Sequence, residues 1–202
     1  MKRVTKDILI CGVGGQGTVL ASKIIASAAM ADGNPVHSAE TIGMAQRGGS
    51  VTSHVRIGPE AASPLIPHGR ADLILAFEPA EAVRNLCYLS PRGLVIVNTV
   101  PVKPVNESLR PSGYEGGVMT EYLKRKCACL PADLEKLSEP LGSARFHNIL
   151  LLGLAAGSGG LGISAEVLRR EMERLIPAKF LDINRRAFEI GFRHGQESRN
   201  KL

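Results

Sequence analysis

The chain has 202 residues, 44% of them hydrophobic, and a formal net charge of +6. That is enough apolar material for one sizeable core, and it excludes wholesale disorder. Tryptophan is absent and aromatic residues make up only 4%, which argues against a stacking platform for nucleic acid. The densest basic runs are Lys124-Arg125-Lys126, Arg169-Arg170 and Arg185-Arg186. They read first as solvated helix faces and second as contacts for an anionic ligand or acidic partner.

The four cysteines, Cys11, Cys87, Cys127 and Cys129, form no C-x-x-C pair and have no ferredoxin or zinc-ribbon spacing. The expectation is free thiols in a reducing cytoplasm, with no iron–sulfur cluster and no structural metal in this chain. The opening Met-Lys-Arg-Val-Thr-Lys-Asp runs directly into an apolar strand and does not read as a signal peptide. No apolar run reaches membrane-spanning length. One domain spanning 1–202 is expected.

Ile8, Leu9 and Ile10 predict a buried strand. Gly12, Gly14, Gly15 and Gly17 follow within a few positions, and then a helical pattern with Leu20, Ile24 and Ala28 on one face. Strand, glycine turn and helix open a Rossmann-like βαβ unit, and Gly12, Gly14 and Gly17 fit the G-x-G-x-x-G spacing. Two readings stay open at this point. The glycines either make only the turn and the helix–strand packing, or they also admit an anionic group to the helix N-terminus.

The first helix is predicted to end near Ala31, where Asp32-Gly33-Asn34-Pro35 breaks it, and residues 36–40 read as a second strand. Glu40 lies where a dinucleotide site places its ribose-binding acid, so a stand-alone NAD(P)-binding oxidoreductase is a rival reading. Residues 41–50 lack a period and combine the Gln46 amide, the bidentate donor Arg47 and the pair Gly48-Gly49. Such a loop suits close contact, with Arg47 able to clamp a carboxylate or phosphate. Residues 50–57 alternate cleanly, with Val51, Ser53, Val55 and Ile57 on a buried face and Thr52, His54 and Arg56 on a polar one. No crossover helix fits between the second and third strands, so they are antiparallel or the second lies at an edge. His54 reads as a satisfied strand histidine.

Residues 72–77 predict a central parallel strand, followed by Glu78-Pro79 and a helix to about Leu89. Residues 94–98 predict another buried strand. Residues 99–117 lose all period, as lids and contact surfaces do. A helix over 119–126, an edge strand over 128–130 and a helix opened by Pro131 toward Leu141 come next. Residues 146–156 are nearly all apolar and predict a buried helix. Ser164 is placed to cap a helix over 165–175. Pro177 is placed to start the last helix, with Ile183, Ala187 and Ile190 inward. The fold class is α/β, a Rossmann-like three-layer arrangement with a mainly parallel sheet and a helical C-terminal third.

No nucleophile elbow, Walker lysine or zinc-protease motif occurs, and no compact acid–base pair. No catalytic residue or metal ligand is assigned. A conspicuous loop beside a glycine turn, without catalytic machinery, suits one part of a larger assembly.

The segments 12–21 (Gly-Val-Gly-Gly-Gln-Gly-Thr-Val-Leu-Ala) and 44–56 (Met-Ala-Gln-Arg-Gly-Gly-Ser-Val-Thr-Ser-His-Val-Arg) resemble the gamma-type domain of the 2-oxoacid:ferredoxin oxidoreductases. The form of the second segment is closest to the beta subunits of the branch that handles indolepyruvate. The resemblance continues through 71–78, 148–155 and 184–191 and spans almost the whole chain. It implies a complex that oxidatively decarboxylates a 2-oxoacid to an acyl-CoA and passes electrons to ferredoxin. Thiamine diphosphate and iron–sulfur clusters then belong to an alpha subunit on which this chain packs, and the isolated chain is inactive. Gly12, Gly14, Gly15, Gln16, Gly17 and Thr18 become candidates for an anionic group of coenzyme A. Met44, Gln46, Arg47, Gly48, Gly49, Ser50 and His54 become candidates for the substrate pocket or the subunit interface. A purely structural assembly subunit is the remaining alternative.

Overall fold

The computed structural model describes residues 5–40, 49–102 and 113–199. Strands β1 (Lys6–Val13), β2 (Val36–Glu40), β3 (Ser50–Ile57), β4 (Ala71–Ala76), β5 (Leu89–Asn98) and β6 (Ala128–Ala132) form one sheet in the order β2-β3-β1-β4-β5-β6. The pairings β1–β4, β4–β5 and β5–β6 are parallel. Strand β3 runs against both neighbours, with Lys6 opposite Ile57 through Val13 opposite Ser50 on β1 and Val36 opposite Ile57 on β2. The predicted antiparallel pair and edge position of β2 are both observed.

Alternation along the central strands divides the core into two layers. Ile8 and Ile10 of β1, Leu73 and Leu75 of β4 and Ile96 of β5 face one side. There they meet α1 (Thr18–Ala31), α5 (His147–Gly157), α6 (Ala165–Leu175) and α7 (Leu181–Arg199). Leu9, Cys11, Ile74, Ala76, Val95 and Val97 face the other side, against Ile66, Ala82 of α2 (Pro79–Arg84) and Leu123 of α3 (Gly116–Lys126). The result is the expected three-layer α/β fold with a helical C-terminal third.

Helices α5 and α7 touch backbone to backbone. A Cβ on Gly191 would sit 2.0 Å from the Leu150 carbonyl oxygen, and one on Gly157 would sit 2.0 Å from that of Phe192. Glycine at these positions sets the spacing of the two helices. The buried face of α7 is Asn184, Ala187, Phe188, Gly191 and Gly195, so Ala187 is inward as predicted. Ile183 and Ile190 are only partly buried at the edge of the core.

Several boundaries differ from the sequence expectation. Helix α2 stops at Arg84, where Asn85 donates from both N–H and side-chain amide to the Glu81 carbonyl. Strand β5 begins at Leu89, and its pairing with β4 shifts register between Ala71 and Leu73, which accommodates Pro91. Pro131 lies inside β6 at the sheet edge, where its missing N–H costs no ladder bond. The next helix, α4 (Leu134–Ser138), starts only after Asp133, whose carboxylate accepts from Lys136 N–H at 3.0 Å. Ser164 occupies the cap position of α6 but its side chain makes no cap hydrogen bond. Pro177 precedes a short turn over 178–180, and α7 follows it.

The polar face of β3 is only partly open to solvent: His54 is buried, and Thr52 and Arg56 are half-buried. The connection after β3 folds over it, and His54 Nδ1 accepts from Ile66 N–H at 3.2 Å. Arg56 makes a two-pronged pair with Asp7 at 2.8 and 3.1 Å and donates to the Ser63 carbonyl.

Candidate functional site

Residues 14–17 turn the chain from the carboxyl end of β1 into α1. Gly17 is the residue before the helix and has φ 81°, ψ 24°, a left-handed conformation that glycine adopts without Cβ strain. Its missing side chain leaves room for Asn148, whose Nδ2 would lie 2.6 Å from a Cβ there. Gly12 likewise leaves room for the Gln16 side chain and Phe77. Gln16 Oε1 accepts from Val13 N–H at 2.8 Å, and Gln16 Nε2 donates to the Phe77 carbonyl at 3.0 Å. Gly14 N–H donates to the Gly49 carbonyl at 2.9 Å, tying the turn to the start of β3. Thr18 is buried. Gly15 has φ 100° and nothing within 4 Å of a Cβ position, so open space surrounds it. The first N–H groups of α1 lack intrahelical acceptors, and the first turn carries no acidic side chain.

Glu40 ends β2, but β3 lies between β2 and β1. The acid therefore stands two strand spacings from the glycine-bearing strand, about 10 Å, whereas a dinucleotide fold places it on the adjacent strand. Its Oε1 accepts from Ser22 of α1 at 2.8 Å. The spacing that suggested a ribose ligand is thus met by a different topology.

Two buried acids, Glu78 and Glu81, organise the carboxyl end of β4. Neither was singled out as a site residue, because their partners are distant in sequence. Glu78 caps α2, accepting from Glu81 N–H at 3.0 Å, and also accepts from the Tyr114 hydroxyl. Glu81 accepts from Ser50 Oγ at 2.6 Å and meets Arg84 at 3.5 Å. Burial, with Glu81 and Glu78 adding to it, pushes the Cys11 thiol upward. Burial and the bond to Glu78 likewise raise the Tyr114 phenol. The legible signal was Glu78-Pro-Ala-Glu81, a helix start with an acid three residues after another.

The loops after β1, β4, β5 and β6 enclose a cleft of about 480 Å³ whose lining includes Gly15, Gln16, Phe77, Asn98, Val102 and Arg145. This is the carboxyl-end crevice where open α/β sheets take ligands. Of the second set of candidates, Ser50 meets Glu81, Gly49 meets Gly14, and His54 is buried on the far side of β3 from α1, where burial lowers its pKa. Ser50 and Gly49 thus adjoin the glycine turn and the acidic pair, while His54 does not. Met44, Gln46, Arg47 and Gly48 lie outside the described residues.

The four thiols do not converge on one point. Cys11 is buried in β1, Cys87 is exposed, and Cys127 and Cys129 adjoin the β6 edge, so this donor set does not fit an iron–sulfur cluster. No described helix is long and apolar enough to cross a membrane.

An α/β sheet with one reversed strand, a glycine turn and a carboxyl-end crevice defines a Rossmann-like ligand-crevice fold without a dinucleotide arrangement. The pyruvate ferredoxin/flavodoxin oxidoreductase family matches residues 7–194, and the chain belongs to that family. It is 39% identical over 194 residues to the indolepyruvate oxidoreductase subunit IorB of Methanothermobacter thermautotrophicus, covering 95% of this chain and 98% of that one. Among solved structures, the gamma subunit of a keto/oxoacid ferredoxin oxidoreductase from Geobacter sulfurreducens shares the fold with TM-score 0.70 at 23% identity, over 95% of this chain and 99% of that one. A 2-oxoglutarate:ferredoxin oxidoreductase chain from Magnetococcus marinus, solved with 2-oxoglutarate, coenzyme A and succinyl-CoA, shares it with TM-score 0.71 at 20% identity. That likeness covers 98% of this chain and 32% of the longer one.

Proposed function

We propose that this chain is the small subunit of a coenzyme A-dependent 2-oxoacid:ferredoxin oxidoreductase whose substrate is indolepyruvate or another arylpyruvate. The observation that carries this reading is the end-to-end similarity to an indolepyruvate oxidoreductase subunit at 39% identity. Thiamine diphosphate and the iron–sulfur clusters belong to the alpha subunit in this reading, and electrons leave through it to ferredoxin. This chain packs on that subunit, in the cytoplasm, and completes the surroundings of the active site. Its glycine turn serves packing first, through Gln16 and Asn148, and the stretch of it left open to an anionic group of coenzyme A is at Gly15. Arg47, with Gln46 and Gly48 beside it, meets the substrate pocket or the alpha subunit. The position of Glu40, two strands from β1 and bonded to Ser22, weighs against the NAD(P) alternative.

The test is co-expression with the large subunit and an assay of coenzyme A-dependent dye reduction with indolepyruvate. Activity only with both chains present is expected, and Arg47→Ala is expected to lower turnover by about tenfold or more while leaving this subunit folded. Two chains that fail to associate, with NADH binding to this one alone, would overturn the reading.

A further inference from the structure

The connection 58–70 crosses the polar face of β3 and is fastened there by two side chains. The first is Arg56. Its Nη1 donates to the Ser63 carbonyl at 3.0 Å and to that of Leu65 at 3.4 Å, while Nε and Nη2 hold Asp7. A guanidinium keeps its charge at every physiological pH, so this clasp is permanent. The second is His54, whose Nδ1 accepts from Ile66 N–H at 3.2 Å. The donor is a peptide N–H, so Nδ1 must present a lone pair, and an imidazolium has none. This bond exists only with neutral histidine.

The surroundings of His54 give a proton nothing to pair with. His54 is 7% exposed. Leu9 of β1 and Ala39 of β2 stand opposite it, with Asp7 and Cys11 flanking the first and His37 flanking the second. Asp7 is the carboxylate in that set, and Arg56 already holds it. Glu60, His68 and Arg70 of the connection are exposed, as is Cys87. The Tyr88 ring stands edge-on to two imidazoles, 5.5 Å from His54 and 4.6 Å from His68. Burial lowers the pKa of His54.

The stretch that depends on His54 is short. Arg56 fixes Leu65 on one side of it. On the other, Gly69 has φ 73° and donates its N–H to the Cys87 carbonyl at 2.9 Å. Between them lie Ile66, Pro67 and His68, and Pro67 has no N–H to offer. Ile66 is 2% exposed and sits in the second core layer with Leu9 and Cys11.

We infer that residues 66–68 form an acid-released strap: neutral His54 holds them on β3, and protonated His54 frees Ile66 from the second core layer while Arg56 and Gly69 keep both ends in place. Opening is local, because the fastenings on either side do not titrate with it. It uncovers the apolar socket of Ile66 and one face of Tyr88, surface that the neutral protein keeps covered. The device is independent of the function proposed above.

Amide hydrogen exchange of the full chain by NMR, corrected for the intrinsic pH dependence of exchange, tests it. Protection of Ile66 N–H is expected to fall by about tenfold or more between about pH 7.5 and about pH 5.5, while the β1 and β4 amides keep theirs. His54→Asn places a neutral amide oxygen near the position of Nδ1 and accepts at any pH, so the pH dependence at Ile66 is expected to vanish. His68→Gln is expected to retain it. Protection at Ile66 that does not change with pH, or that falls only in step with β1, would overturn the inference, and both are read on the native chain even if a variant fails to fold. The same pH dependence in His54→Asn, or its loss in His68→Gln, would overturn it as well.

Discussion

Gln16 joins two strands that its own backbone does not link: its side chain accepts from Val13 N–H at the end of β1 and donates to the Phe77 carbonyl at the end of β4. The glycine turn is thereby fixed to the neighbouring strand. Gln16→Ala is expected to lower stability by about 1–3 kcal/mol, because Val13 N–H loses its acceptor in a partly buried place. Gln16→Glu keeps the acceptor for Val13 but sets a carboxylate oxygen against the Phe77 carbonyl, where acceptor faces acceptor, so its cost is expected to be at least as large. Urea denaturation of the two variants checks the order.

The α5–α7 contact gives a sharper expectation. Gly191→Ala and Gly157→Ala each place a methyl 2.0 Å from a carbonyl oxygen of the facing helix. Two packed backbones must separate, at about 3 kcal/mol or more. Gly117, exposed in α3 with nothing within 4 Å of a Cβ position, is the contrast. Gly117→Ala is expected to raise stability by about 0.5 kcal/mol through the lost unfolded-state entropy. Thermal melts of the three variants separate packing from propensity.

Stability is expected to fall with acid through His54. Burial lowers its folded pKa below the unfolded value, so the unfolded state binds the proton first. The stabilisation is complete well above about pH 6.5, the unfolded value, and is lost as pH drops through and below it. Protonation also removes the acceptor for Ile66 N–H, worth about 1 kcal/mol. His147 shifts in the same direction, with Glu135 and Asp133 opposing the shift. Melting temperature measured from about pH 7.5 to about pH 5 should fall in the native chain and fall less in His54→Gln.

Thiol reactivity should follow exposure and ionisation. Cys87 is exposed and is expected to react with Ellman's reagent in the folded protein. Burial pushes Cys129 up to about 12 and raises Cys11 further with help from Glu81 and Glu78. Both are expected to react only after denaturant is added. Early labelling of Cys11, read by mass spectrometry of the modified peptide, would contradict the buried acidic surroundings described here.

The parts of the fold legible in the amino-acid order are those set by local pattern. The run Ile8 to Ile10, the glycines after it and the clean alternation of β3 each declare themselves within ten residues. The lack of room for a crossover helix after β2 pointed to an antiparallel pair or an edge position for β2, and the sheet has both. What escaped depends on partners far along the chain. Glu81 finds Ser50 thirty-one residues back, and Glu78 finds Tyr114 thirty-six residues ahead. His54 lies under a connection whose burial of the polar face leaves no mark on β3 itself. Pro131 looked like a helix opener because proline suits that place equally well as a sheet edge. The crevice draws on four separate loops, so Arg145 carried no signal of its own.

The reversal of β3 has a consequence for how such a chain can diversify. Residues 40 and 50 both stand at the same end of the sheet, and eight residue pairs pin β3 to β1 while five pin it to β2. A parallel arrangement would have to carry the chain back across the sheet between them, and its length would be dictated by that span. Here nothing has to be crossed. The pairings fix the register of β2, β3 and β1 by themselves, whatever the length of the segment that joins residues 40 and 50. This edge of the crevice is a cassette, open to redesign of what the protein meets without redesign of the protein that meets it.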